Sequence, residues 1–112
     1  DDFPSIVSKL LDATGIIIGT PVYFGNMSYL CKAFIDRCTV FAKEKKLANK
    51  VAGVLACGGA RNGGLELTIR SVHVALMSQQ MIVVGDAPPT SPPSTFGIAN
   101  SSAAFEPFTL PP

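Results

Sequence analysis

The sequence predicts an α/β domain built on a parallel sheet, and three observations carry that expectation. Helical and strand-like segments alternate from the first residues, a glycine or turn cluster marks each exchange, and the strand-like segments are apolar runs without polar alternation. In 112 residues, 47% hydrophobic and 15% charged, there is apolar material for one core and too little length for two domains.

Phe3, Ile6, Val7, Leu10 and Leu11 recur at the spacing of one helix face, with Pro4 in the first turn where no N–H partner is lost. Gly15 stops this helix, and Ile16-Ile17-Ile18-Gly19 predicts a strand covered on both faces. The segment Thr20-Pro21-Val22-Tyr23-Phe24-Gly25-Asn26 reads as a loop, because Pro21 disfavours helix at Thr20 and Asn26 is a good N-cap. From Met27 a stripe of Leu30, Cys31, Phe34, Ile35, Cys38 and Phe41 predicts four turns of helix, followed by a solvated helix end and connection over Lys43 to Lys50. Val51 to Ala56 is a second buried strand.

Four glycines fall within the eight residues Cys57-Gly58-Gly59-Ala60-Arg61-Asn62-Gly63-Gly64, a loop whose backbone can approach a ligand. Leu65, Ile69, Val72, His73 and Leu76 predict a third helix, with Glu66 in the turn where a negative charge favours the helix dipole. Met81 to Gly85 is the third strand. Beyond Asp86 the chain carries seven of its nine prolines and no Lys or Arg, which predicts an irregular tail over 87–112 appended to a domain over 1–86, packed in part on that domain or on a neighbouring subunit.

Charge and cysteine usage exclude several classes. Nine basic against eight acidic residues leave a formal charge of +1, too small to select nucleic acid or an anionic membrane. The apolar runs fall short of the roughly 20 residues a spanning helix needs, and no leader pattern opens the chain, so the expectation is a cytoplasmic protein. Cys31, Cys38 and Cys57 are an odd number at spacings that fit neither a disulfide framework nor a zinc knuckle; reduced thiols and no metal site are expected.

In an open parallel sheet, ligands bind beyond the carboxyl ends of the strands. Thr20 to Asn26 and Cys57 to Gly64 both occupy that position, and together they suit a planar ring with polar edges: backbone N–H groups at Gly25, Gly58 and Gly59 can reach ring heteroatoms, and Tyr23 or Phe24 can cover its face.

The stretch Gly15-Ile-Ile-Ile-Gly-Thr-Pro-Val-Tyr-Phe-Gly-Asn-Met-Ser28, with Lys32-Ala-Phe-Ile-Asp-Arg37, resembles the NADPH-dependent FMN reductase and multimeric flavodoxin (quinone reductase) family, which includes iron–sulfur flavoproteins. Gly58-Gly-Ala-Arg-Asn-Gly-Gly64, Glu66, Thr68 and Met81 to Gly85 are similar to its second flavin loop, following helix and last strand. The resemblance spans residues 3 to 86. It implies a partial flavodoxin-like fold, a three-stranded parallel sheet with flanking helices, and FMN contacts from Thr20, Pro21, Val22, Tyr23, Phe24, Gly25, Asn26, Cys57, Gly58, Gly59, Arg61, Gly63 and Gly64. The implied reaction is hydride transfer from NAD(P)H through FMN to a quinone, flavin or metal centre, with the cofactor supplying the chemistry and no catalytic side chain required.

The sequence departs from the family pattern at its start, where members carry a strand, a phosphate-binding loop and a second strand, and at its end, where a helix normally follows the last strand. Two expectations follow. The Ile16 to Gly19 strand becomes an exposed apolar edge, which predicts a homo-oligomer formed through it. Without the charge-assisted hydrogen bonds of a phosphate loop, worth about 1.5 to 3 kcal/mol each, the chain alone is expected to bind FMN weakly. A non-catalytic oligomeric binding module without flavin, and a chain cut from or paired with a longer enzyme, stand as alternatives. Individual residues also have plainer readings: Tyr23 and Phe24 as plugs of the core end, Arg61 as a solvated charge, His73 as a partly buried hydrogen-bonded residue, and Cys57 as a small buried one.

Overall fold

The computed structural model describes residues 1–60 and 62–85, and the backbone of 98–101. Helix α1 (Phe3–Asp12) leads into strand β1 (Gly15–Tyr23), a tight turn and strand β2 (Asn26–Met27). Helix α2 (Tyr29–Arg37) continues as a 3-10 turn over Cys38–Phe41, and strand β3 (Val51–Gly58), helix α3 (Leu65–Ser78), strand β4 (Ile82–Val83) and strand β5 (Ile98–Ser101) complete the order.

β1 and β3 form the centre of the sheet, pairing in parallel from Gly15↔Val51 to Pro21↔Cys57. β4 pairs in parallel with Val51 and Ala52, and β5 with Leu55 to Gly58, so the two short strands share the other edge of β3 end to end. The tail expected to be irregular therefore contributes a strand at 98–101; the rest of 86–112 lies outside the described residues. The third strand is shorter than Met81 to Gly85, with two residues in the ladder and a further bond from Val84 N to Ala52 O at 2.9 Å.

All three helices cover one face of the sheet. Ile18, Ala52, Val54 and Ala56 point into that layer and meet Cys38, Phe41, Leu47, Leu65, Ile69, Val72, Leu76 and Met81. Phe3 anchors α1: its ring lies 6.1 Å from Phe34 and 6.2 Å from Phe41, and the Arg37 guanidinium sits 4.3 Å above it while also pairing with Asp1. Lys50 holds the other end of α1, donating from Nζ to Leu11 O at 2.7 Å and to Ala13 O.

Of the two covers expected for β1, the described residues supply the helical one, and the opposite face is bare of them. Among the described residues nothing packs on it, and Ile17 is 80% exposed beside exposed Val51, Leu55, Ile82 and Val84. Among the described residues, the edge of β1 away from β3 is paired only at Val22 and Tyr23, by β2. Ile16 to Gly19 have no partner on that side among the described residues, and face a groove of about 660 Å³ between α1 and α2 lined by Ile6, Leu10, Ile16, Leu30 and Phe34.

Two helix boundaries also differ. Ser28, not Asn26, caps α2, its side chain accepting from Cys31 N at 3.2 Å. The four-turn stripe ends its α-helical part at Arg37 because Cys38–Phe41 tightens to 3-10 geometry, which still buries Cys38 and Phe41. The basic run after it lies in turns, not at a helix end, with Lys45 at φ 52° and Lys46 Nζ paired to Glu44 at 2.8 Å.

Candidate functional site

The segment Thr20 to Asn26, expected as a loop, is mostly strand. Thr20 to Tyr23 extend β1, and Phe24 (φ 51°) and Gly25 (φ 75°) form a two-residue hairpin turn that reverses the chain into β2. Positive φ at both central positions matches the right-handed twist of the flanking strands. Phe24 occupies that conformation without glycine's freedom, and its ring is fully exposed at the tip. Tyr23 is 62% exposed. Neither ring plugs the core.

Below the tip, the hairpin is tied down. Thr20 Oγ1 accepts from Ser28 N at 3.0 Å and donates to Pro21 O at 3.0 Å, and both side chains are buried. Asn26 Oδ1 accepts from Met27 N at 2.8 Å. These bonds leave Val22 half-buried against the core and present the tip to solvent.

The glycine segment begins inside the sheet: Cys57 and Gly58 are the last residues of β3, with Cys57 directly opposite Pro21. Gly63 N donates to Ala60 O at 3.0 Å, closing a tight turn, and Gly64 at φ 92° enters α3 without a side-chain cap. The first-turn N–H groups of α3 therefore open toward the same end of the sheet. A Cβ placed on Gly64 would lie 2.6 Å from Gly25 Cα. The two segments singled out in the sequence thus touch backbone to backbone, at the carboxyl ends of adjacent parallel strands. Arg61 lies outside the described residues.

The arrangement suits the edge and face of a flat ring: an exposed aromatic, glycine backbone free of side chains, and amide groups at a helix start. It offers less to a phosphate. Among the described residues of the two segments there is no basic side chain, and the Thr20 and Ser28 hydroxyls are already engaged.

Cys57 is exposed, not buried, because its position in β3 faces the uncovered side of the sheet. Cys38 is buried and burial pushes its thiol up to about 11; burial also raises Cys31, against a smaller opposing effect of its hydrogen bond with Thr20. All three thiols are free, and the described residues contain no cluster of three or more His, Cys, Asp or Glu side chains that could hold a metal ion. No described helix is long and apolar enough to cross a membrane.

His73 lies on the buried side of α3, 8% exposed, and its Nε2 has no hydrogen-bond partner among the described residues, where a bonded histidine was expected. Desolvation lowers its pKa below the ordinary 6.5. The unfolded chain then takes up the proton before the folded one, so stability is full above pH 6.5 and falls as pH drops toward the depressed folded value. His73 is the only histidine, which assigns the interval to it. The thermal midpoint should decline as pH falls below about 6.5, and His73→Leu should flatten the decline; equal slopes in both proteins would contradict this.

Comparison with known proteins agrees with the geometry. The chain is 45% identical over 91 residues to an iron–sulfur flavoprotein of Methanocaldococcus jannaschii, covering 81% of this chain and 47% of that protein. It is 44% identical over 79 residues to an NAD(P)H dehydrogenase (quinone) of Paracoccus denitrificans, covering 70% and 38%. The chain spans about half the length of the curated relatives it matches. Among solved structures, the Trp repressor binding protein of Bacillus subtilis superposes with a TM-score of 0.65 at 27% identity, over 74% of this chain and 58% of that one. The WrbA-like flavodoxin of Agrobacterium tumefaciens does so with a TM-score of 0.64 at 27% identity, over 67% and 48%. The fold is flavodoxin-like. The family profile described as NADPH-dependent FMN reductase matches residues 1–92, and with the paired turns at the strand ends this shows that the chain belongs to the NADPH-dependent FMN reductase family.

Proposed function

We propose that this chain carries the ring-binding half of a flavin site in an FMN-dependent NAD(P)H oxidoreductase of the flavin or quinone reductase type. The observation that supports it is the contact of the Phe24-Gly25 turn with Gly64, which brings both candidate segments to one end of the sheet. When bound, FMN would accept a hydride from NAD(P)H and pass electrons to the acceptor. The protein's part is positioning. Phe24 covers a ring face, backbone groups from Thr20 to Asn26 and from Cys57 to Gly64 meet its polar edge, and the Thr20–Ser28 bond keeps the hairpin in place. The domain spans residues 1–86, and 87–112 is a tail that joins its sheet at 98–101.

Flavin fluorescence tests this reading. Added FMN should be quenched, and Phe24→Ala should weaken binding about fivefold to tenfold, the value of a lost aromatic contact. Riboflavin should bind within about threefold of FMN, since the described residues hold only the ring. No quenching at about 1 mM flavin would refute the reading.

The open β1 edge supports homo-oligomer formation through Ile16 to Gly19, where unpaired backbone groups and exposed Ile17 can add a strand from a second copy. Three free thiols suit a reducing cytoplasm.

A further inference from the structure

Two register pairs hold the Phe24-Gly25 turn: Val22 faces Met27, and Tyr23 faces Asn26. So short a ladder is marginal by itself, and the turn above it gives no help, since Phe24 takes a positive φ without glycine's freedom. The register next brings Pro21 opposite Ser28, and proline has no N–H to give. The Thr20 hydroxyl stands at that step instead. It accepts from Ser28 N at 3.0 Å and donates to Pro21 O at 3.0 Å, so one hydroxyl joins the donor on one side of the ladder to the acceptor on the other.

A third partner completes the junction. The Cys31 thiol hydrogen-bonds to Thr20, and burial keeps that thiol protonated, so it donates to the remaining lone pair. A threonine hydroxyl has one proton and two lone pairs, and here all three are used. Thr20 is 4% exposed and Ser28 7%, so water has little access to replace a lost bond. Ser28 also starts α2, its Oγ accepting from Cys31 N at 3.2 Å and its carbonyl from Lys32 N at 3.0 Å. β1, the hairpin and the first turn of α2 therefore meet at one buried oxygen.

We propose that the Thr20 hydroxyl is the positioning group of the ring-binding turn: through Ser28, Pro21 and Cys31 it sets where Phe24 and Gly25 stand against Gly64, and with them the slot that a flavin ring enters. The inference rests on the flavin reading above and adds a residue to it. The hydroxyl acts through its partners, because it has no bond left for a ligand. Its leverage comes from the tight fit above it. A Cβ on Gly64 would lie 2.6 Å from Gly25 Cα, so a turn displaced by about 1 Å either collides with the start of α3 or opens the slot, and misplacement of that size is enough to weaken a site.

FMN fluorescence titrations on the full chain test this, with amide exchange beside them. Thr20→Val keeps the branched shape that suits a strand and removes the hydroxyl. It should weaken FMN binding about tenfold, and exchange should quicken at Gly25 to Ser28 while β3 keeps its wild-type protection. Thr20→Ser restores the hydroxyl and should bind within about threefold of wild type. Lys50→Met is the control for lost stability alone: it loosens α1 at the opposite end of the sheet and should leave FMN affinity within about twofold. If Thr20→Val does not fold, Cys31→Ala removes only the third partner and should weaken FMN about threefold. Wild type that does not quench FMN refutes the flavin reading, and this role with it. Wild type that quenches while folded Thr20→Val, or Cys31→Ala in its place, binds equally well overturns the positioning role alone, as does Thr20→Ser binding no better than Thr20→Val.

Discussion

Gly64→Ala should lower stability by about 3 kcal/mol and separate the two segments of the candidate site. Gly64 is held at φ 92°, a region that costs a residue with a Cβ about 1 to 2 kcal/mol. The added carbon would also sit 2.6 Å from Gly25 Cα, against backbone that cannot rotate away, and overpacking of this kind costs about 1 to 3 kcal/mol. For a domain of this size, the loss corresponds to a thermal midpoint lower by roughly 12 to 20 °C. Gly53→Ala is the control. Its Cβ would stand 3.8 Å from Ile17 Cγ1, an ordinary contact, and the lower entropy of the unfolded chain should leave stability unchanged or higher by about 0.4 to 1 kcal/mol. Because Gly64 joins the hairpin to the start of α3, the same variant should lose flavin quenching. If Gly64→Ala melts with the wild type, the backbone contact between the two segments is wrong.

Lys50→Met should cost about 2 kcal/mol. The ammonium bridges Leu11 O and Ala13 O, carbonyls at the C-terminal end of α1 that the helix itself leaves unpaired. A hydrogen bond involving a charged group contributes about 1.5 to 3 kcal/mol, and partial exposure of the side chain reduces the sum of two such bonds. α1 has no fully buried residue, so this tie and the Phe3 contacts fasten it to the sheet. Methionine keeps the stem and removes the donors. Hydrogen exchange should show residues 9–13 losing protection ahead of β3, and equal protection in both proteins would count against the tie.

Much of this was legible in the sequence because it is local. The alternation of helix and strand, the apolar stripes of α1 and α3, and Pro4 in the first turn each depend on neighbours within a few positions. The hairpin tip was not legible: Phe24-Gly25 lacks the Asn-Gly signature of a turn with two positive φ values, and Thr20 to Asn26 read as a loop although Pro21 sits within β1. Asn26 and Ser28 are equally good caps by type, and only the Cys31 N–H bond selects Ser28. Cys57 was read as a small buried residue because no basic group beside it would activate a thiol, yet period two along β3 turns it to the open face.

By itself the sequence determined the fold class, the order of elements and the two segments that belong together, since periodicity and turn chemistry act over short separations. Only the tertiary structure decided which face of each strand is covered, that β5 joins the sheet, and that Gly25 meets Gly64. Those outcomes depend on residues dozens of positions apart competing for one surface. No local pattern encodes that competition.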